Sequence, residues 1–233
     1  MIKEAIILAG GLGTRLRSVV SDLPKCMAPI NGIPFIAYVI NHLQRQGVTH
    51  FIFSLGYKSE SFIAFLNNDY KNLSYQLSIE DEPLGTGGAI KQSLIYALGK
   101  SVVIANGDTL FKADIVEMSQ LHELSGANCT MALKPMTNFD RYGAVEINAQ
   151  GLVQCFKEKQ FYESGLINGG VYALNKAKFF EEEFPDKFSF ETAYLQKLYK
   201  ERTILGIIQD KYFIDIGIPE DYEKAQLELL QHG

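Results

Sequence analysis

The sequence predicts an α/β protein: a mainly parallel, Rossmann-like twisted sheet flanked by helices, with a small β-rich lobe built onto the same sheet. Two observations carry this. Continuous apolar runs at 5–9, 51–55 and 102–105 alternate with helical periodicity at 35–46, 61–67 and 89–98, and uninterrupted apolar runs are typical of strands buried on both faces of a parallel sheet. From about Thr130 the spacing changes to shorter strand-like runs with glycine turns, at 130–133, 144–147, 153–157 and 170–174, before helical patterns return at 191–200 and 220–230.

The first strand delivers its backbone to a glycine loop. Residues 5–9 break into Gly10-Gly11-Leu12-Gly13, and Thr14, Arg15 and Lys25 follow. Glycines let main-chain N–H groups approach anionic oxygens closely, and the cations neutralise what the loop holds, so the segment describes a site for a phosphate-bearing ligand. Two other glycine loops are excluded. The dinucleotide fingerprint needs a third glycine where Leu16 stands and an acid closing the second strand, where the chain has Leu55-Gly56; a nicotinamide-dependent oxidoreductase is set aside on that ground. The P-loop needs Gly-Lys-Ser/Thr, which Gly13-Thr14-Arg15 does not supply.

Ligands in such sheets bind beyond the carboxyl ends of the strands, so the residues that close each strand matter. The third strand ends in Asn106-Gly107-Asp108, which alone reads as a turn or a helix cap. A second carboxylate, Asp215, closes the run Phe213-Ile214-Asp215 far away in sequence. Two acids converging on a triphosphate are what Mg²⁺ needs, since it takes oxygen ligands and keeps waters and phosphate oxygens in its shell. Between these strands lies Glu80-Asp81-Glu82-Pro83-Leu84-Gly85-Thr86-Gly87-Gly88-Ala89, read alone as a solvated acidic turn leading into the helix at 89–98.

Composition narrows the class further. A chain of 233 residues with no internal repeat, low-complexity tract or linker reads as one domain over 1–233. No apolar run is long enough to span a bilayer and the N-terminus lacks the features of a signal peptide, so the expected location is the cytoplasm, with no membrane partner. The net charge of −5 and the lack of a basic stripe argue against a nucleic-acid surface. Cys26, Cys129 and Cys155 have no metal-ligand spacing and read as reduced and structural. His42, His50, His122 and His232 stand without a motif and read as core or surface residues. The apolar helix at 35–43 offers a surface for a homodimer.

Leu8-Ala9-Gly10-Gly11-Leu12-Gly13-Thr14-Arg15-Leu16, with the downstream Pro24-Lys25-Cys26-Met27-Ala28-Pro29, resembles the sugar-nucleotidyltransferase family. Its members share the nucleotide-diphospho-sugar transferase fold and join sugar 1-phosphates to nucleoside triphosphates, releasing pyrophosphate. The resemblance implies a nucleotide-binding part over about 1–130 and a sugar-binding part over about 131–233 that returns to the core. Leu8, Ala9, Gly10, Gly11, Gly13, Thr14, Pro83, Gly85, Thr86 and Asn106 would bind the nucleotide. Arg15 would hold the β- and γ-phosphates, Lys25 the α-phosphate, and Asp108 and Asp215 the metal, with Arg15, Lys25 and Asp108 as the catalytic set. The order Tyr142-Gly143, Glu158-Lys159, Asn168-x-Gly170 matches the family's sugar-phosphate pocket, placing Tyr142, Gly143, Glu158, Lys159, Asn168 and Gly169 there. Ser189-Phe190-Glu191 sits where family members vary and receives no role.

Glu80 bears on the base. Guanine presents two adjacent donors that one carboxylate can accept together, whereas uracil and thymine present one donor flanked by carbonyls, which suits Gln. GTP is the expected nucleotide. The 80–89 segment, Asp140-Arg141-Tyr142-Gly143 and the end of the chain at its last helix resemble most the short guanylyltransferases acting on D-glycero-α-D-manno-heptose 1-phosphate, which serve surface-glycan biosynthesis. Mannose-1-phosphate guanylyltransferases and the thymidylyl- and uridylyltransferases of glucose or N-acetylmuramate 1-phosphate stand as alternatives. A non-catalytic paralogue that binds a sugar nucleotide is the alternative of another class, although such proteins usually lose an acid or a lysine from the site.

Overall fold

The computed structural model describes residues 1–11, 16, 23–56, 58–201 and 203–232; Gly13, Thr14 and Arg15, assigned above to the phosphates, lie outside them. In chain order the elements are β1 (Glu4–Leu8), β2 (Pro29–Ile30), β3 (Ile33–Pro34), α1 (Phe35–Arg45), β4 (His50–Leu55), α2 (Ser59–Asp69), β5 (Ser74–Ile79), α3 (Gly85–Ser93), β6 (Ser101–Asn106), β7 (Thr109–Phe111), α4 (Ile115–Ser125), β8 (Cys129–Phe139), β9 (Gly143–Ile147), β10 (Val153–Lys159), β11 (Tyr162–Asn175), α5 (Lys176–Phe180), α6 (Gln196–Leu198), β12 (Ile204–Ile208), β13 (Phe213–Asp215) and α7 (Pro219–His232). A π-helical turn, Phe190–Leu195, leads into α6.

The sheet runs β10-β9-β11-β6-β1-β4-β5. Its β6-β1-β4-β5 half is parallel, and the direction reverses at β11, which pairs antiparallel with β6 and β8. The central strands β1, β4 and β6 are largely apolar because each buries both faces. Ala5, Ile7, Phe51, Phe53, Val103 and Ala105 pack with α1, α2, α4 and α7 on one side. Ile6, Ile52, Val102 and Ile104 pack with α3, α5 and the Phe190–Leu195 turn on the other. Alternation of side chains along a strand divides each run between the two layers. Phe53 alone meets Phe62 and Tyr75 at ring distances of 5.1 and 5.9 Å, an arrangement that adds edge contacts to the burial.

Several expectations are corrected. The helix at 89–98 begins earlier, at Gly85. The apolar face of α1 is not available for a homodimer: Phe35, Ile36, Val39, Ile40 and Leu43 are buried in the chain's own core. β8 and β11 run much longer than their apolar segments, since their outer halves form a half-exposed antiparallel ribbon in which Tyr162 pairs with Phe139 and Ile167 with Lys134. α4 was hidden because polar residues occupy its buried face. Ser119 donates to the Ile115 carbonyl at 2.6 Å, and His122 bonds Thr130 Oγ1 at 3.0 Å. β12 pairs with β8 in an unbroken parallel register, and Gly206 within it faces the Leu133 side chain, where a Cβ would not fit.

Candidate active site

β1, β4 and β6 all end on the same side of the sheet, and a cleft of about 310 Å³ opens there. Leu8, Ala9, Gly10, Gly11, Lys25, Glu80, Pro83, Gly85, Thr86, Asn106 and Asp108 all line it, together with Cys26, Ser54 and Ala89. Every described residue assigned above to the nucleotide therefore borders one space.

The floor of this cleft is charged. Asp108 follows β6 and precedes β7, and β7 pairs antiparallel with β13, bringing Thr109 opposite Asp215. The Ile216 N–H donates to the Asp108 carbonyl at 3.1 Å, so two carboxylates distant in sequence are held side by side. Lys25, in the one-turn 3₁₀ segment Lys25–Met27 after Pro24, donates its ammonium to both: 2.5 Å to Asp108 Oδ2 and 3.4 Å to Asp215 Oδ1. Gly217 leaves room for that contact; a Cβ there would lie 2.9 Å from Asp215 Oδ1 and 3.2 Å from Lys25 Nζ. Burial raises the Asp215 carboxyl above the usual carboxylate range, with Asp108 adding to the rise and Lys25 opposing it. Cys26, beside the lysine, is no nucleophile. Burial pushes its thiol up to about 12, and its sulfur rests 3.8 Å from the Ala9 carbonyl.

Glu80 closes the opposite wall. Its backbone N–H donates to the Leu55 carbonyl, extending the edge of β4. Its Oε1 accepts from Ser54 Oγ at 3.3 Å and its Oε2 from the Leu84 N–H at 2.9 Å. Gly10 is required beside it, because a Cβ at Gly10 would stand 2.8 Å from Glu80 Oε1. The glycines of 85–88 serve packing as well as approach to a ligand. Gly85 has φ +71°, and a Cβ on it would meet the Phe188 carbonyl at 2.6 Å; Gly87 faces the Phe188 ring and Gly88 the Asp186 carbonyl. Hydrogen bonds fasten the same surfaces: Gly87 N to the Phe188 carbonyl at 2.9 Å, Phe188 N to the Leu84 carbonyl at 3.0 Å, and Phe190 N to Thr86 Oγ1 at 2.9 Å.

A second cleft, of about 160 Å³, lies among β9, β10, β11 and the Phe190–Leu195 turn. Tyr142, Gly143, Glu158, Lys159 and Asn168 line it, as do Glu191 and Gln196, which the sequence reading left out. Gly169 is placed otherwise. It is buried, with its Cα against the Phe111 ring and the Ala132 carbonyl. Tyr142 reaches towards the paired aspartates: its ring packs edge-on to Phe213 of β13 at 5.9 Å, and burial, with the nearby Asp215 charge, pushes its hydroxyl pKa up. Arg141, also unassigned from sequence, is paired with Asp221 at the start of α7.

The family model described as nucleotidyl transferase matches residues 4–232. The chain belongs to the nucleotidyl transferase family. This nucleotidyl transferase is 52% identical, over 98% of its length and 99% of the relative's, to the D-glycero-alpha-D-manno-heptose 1-phosphate guanylyltransferase of Aneurinibacillus thermoaerophilus. It is 45% identical, over 94% of its length and 96% of the relative's, to the enzyme of the same description from Campylobacter jejuni. Among solved structures, HddC from Yersinia pseudotuberculosis complexed with GMP-PN matches with a TM-score of 0.88 and 37% identity, over 98% of this nucleotidyl transferase and 100% of that chain. No helix among the described residues is long and apolar enough to cross a membrane.

Proposed function

We propose that the chain is a sugar-1-phosphate guanylyltransferase, joining GTP to D-glycero-α-D-manno-heptose 1-phosphate to give GDP-heptose and pyrophosphate. The observation that carries this reading is the Lys25 ammonium held between Asp108 and Asp215, with Lys25 and Asp108 lining a glycine-walled cleft, together with a second cleft lined by Lys159, Glu158 and a Tyr142 that packs on Phe213 of the strand bearing Asp215. The near-full-length similarity to two heptose 1-phosphate guanylyltransferases narrows the class to this sugar, and the GMP-PN complex of the related HddC supports guanine. In this reading residues of about 1–130 hold the nucleotide and those of about 131–233 the sugar phosphate, in the cytoplasm.

The reaction needs no general base, because the attacking oxygen of the sugar 1-phosphate is already anionic. It adds to the α-phosphorus in line with the departing pyrophosphate, so the protein's task is to align two polyanions and neutralise charge as it moves. Gly10 and Gly11 present backbone to the nucleotide, Glu80 accepts from the base edge, and Lys25 turns from the carboxylates to the α-phosphate. In the second cleft Lys159 takes the sugar phosphate while Glu158 faces hydroxyls, with Asn168 lining the same wall.

Asp108 and Asp215 suit a hard divalent cation of the magnesium kind. They offer only carboxylate oxygens, both already directed at one cation, the Lys25 ammonium. Two protein carboxylates would leave the remaining coordination positions of such a cation to phosphate and water. Bound there, magnesium would offset the negative charge of the α-phosphate. Pyrophosphate release tests the whole reading. With magnesium, GTP and the heptose phosphate should outpace any other pairing of GTP, UTP, dTTP, CTP or ATP with heptose, mannose, glucose or N-acetylmuramate 1-phosphate. Preference for UTP or dTTP would refute the guanine assignment, and silence across all pairings would refute catalysis.

A further inference from the structure

One carboxylate of the second cleft has no part in the reaction described so far. Glu191 stands on the Phe190–Leu195 turn, exposed, beside Asn168. Asn168 is already committed: its amide nitrogen donates to Tyr172 Oη at 2.7 Å and to Glu191 Oε1 at 3.3 Å, and its oxygen accepts from the Gly170 N–H at 3.1 Å. The Asn168 bond engages only one oxygen of Glu191. The position is fixed. Phe190 N is bonded to Thr86 Oγ1, Ser189 Oγ accepts from the Thr192 N–H at 3.3 Å, and the Phe190 ring lies 4.8 Å from Tyr194 and 5.2 Å from Tyr172.

A carboxylate in a pocket for an anionic substrate repels that substrate's phosphate, so its presence calls for a compensating contact. Sugar hydroxyls supply one, because they donate to carboxylates in charge-assisted hydrogen bonds. Lys159 lines the same cleft and carries the charge that a phosphate needs. Resting on the guanylyltransferase reading above, we propose that Glu191 is a specificity-determining residue that accepts a hydrogen bond from a hydroxyl of the sugar, and so selects which sugar 1-phosphate is used. Asn168 orients Glu191, and the turn that bears it is anchored to Thr86 of the nucleotide cleft.

The test is steady-state kinetics of the full chain with GTP and heptose 1-phosphate, mannose 1-phosphate and mannose 1-phosphates lacking one hydroxyl. Glu191→Ala is expected to lower kcat/KM for the sugar phosphate roughly 10- to 100-fold, the value of a hydrogen bond to a charged group, while KM for GTP changes less than about twofold. Glu191→Gln, which keeps an acceptor oxygen, should recover part of the loss. One deoxy analogue should lose a similar factor with the wild-type protein and little with Glu191→Ala, as a shared contact requires. Unchanged kcat/KM for every sugar phosphate, or an equal loss for GTP and sugar, would overturn the role of Glu191 while leaving the transferase reading intact. A wild-type protein silent with all of these sugars would overturn both.

Discussion

Replacing Lys25 by methionine removes the positive charge that bridges Asp108 and Asp215 while keeping most of the side chain's volume. The ammonium lies 2.5 Å from one carboxylate and 3.4 Å from the other. Removing one partner of a fully buried pair costs about 3–5 kcal/mol, whereas an exposed pair is worth at most about 1 kcal/mol. Here the lysine side chain is 15% exposed and the acids 35% and 23%, so a loss of about 2 kcal/mol is expected, between those limits. The pH dependence has a definite sign. Burial raises the folded-state pKa of Asp215, so the stability this group contributes is fully present below the ordinary carboxylate range and lost as pH rises through the folded value. Lys25 opposes that rise, and without it the folded value moves further up. Urea unfolding without divalent cations should therefore show a deficit at pH 7 that shrinks on acidification. Magnesium should then raise the midpoint of the variant more than that of the wild type, because a cation that binds only the folded pair stabilises by mass action. Equal stability at pH 7, or a deficit that widens towards acid, refutes the electrostatic account.

Three other substitutions probe separate parts of the structure. Burial pushes the His122 imidazole down to about 4; stability present above its ordinary value is lost as pH falls towards that figure, and His122→Gln should flatten the urea midpoint between pH 6.5 and 4, a window worth roughly 3 kcal/mol at most. Gly88→Ala drives a methyl at the Asp186 carbonyl, and should cost about 1–3 kcal/mol in thermal or urea unfolding while weakening GTP binding measured by calorimetry. Glu80→Gln keeps the bond from Leu84 N–H but gives up the charge, so it should lower kcat/KM for GTP roughly 10-fold or more and narrow the preference over UTP, measured by pyrophosphate release; an unaltered GTP-to-UTP ratio would remove Glu80 from base choice.

The parts of this structure legible in the sequence are those with one dominant local signal. Apolar runs at β1, β4 and β6 read as buried strands because both of their faces are in fact covered. The glycine loop and the distant aspartates read from the sequence as belonging together, and Gly10, Gly11, Lys25 and Asp108 do border one cleft, with Asp215 bonded to the same lysine. What escaped reading lies where a residue type serves two purposes. Gly85, Gly87 and Gly88 look like a loop, yet they sit in a helix whose missing side chains let Phe188 and Asp186 pack against it. Ser119 and His122 break the apolar stripe of α4, since Ser119 bonds the Ile115 carbonyl within the helix and His122 bonds Thr130 and Ser101 on the strands beneath it. Glu191 and Arg141 carry no motif at all. Their relevance arises from β11 and α7 passing close by, contacts between residues 23 and 80 positions apart.

Those long-range ties also explain why the site can be stiff without being compact in sequence. The proposed in-line displacement between two anions would tolerate little misalignment, so in that reading the walls of the two clefts must be fixed relative to one another. Two hydrogen-bonded connections do this. The β7–β13 ribbon sets Asp108 against Asp215 and carries Phe213 under Tyr142, joining the acidic floor to the second cleft. The 186–190 segment, bonded to Leu84, Thr86 and Gly87, fixes the start of α3 to the turn that bears Glu191. A substitution that loosens either connection therefore acts on both substrates at once, whereas one confined to Glu80 or Glu191 acts on a single substrate. The pattern of KM changes across such variants distinguishes misalignment of the clefts from loss of one contact.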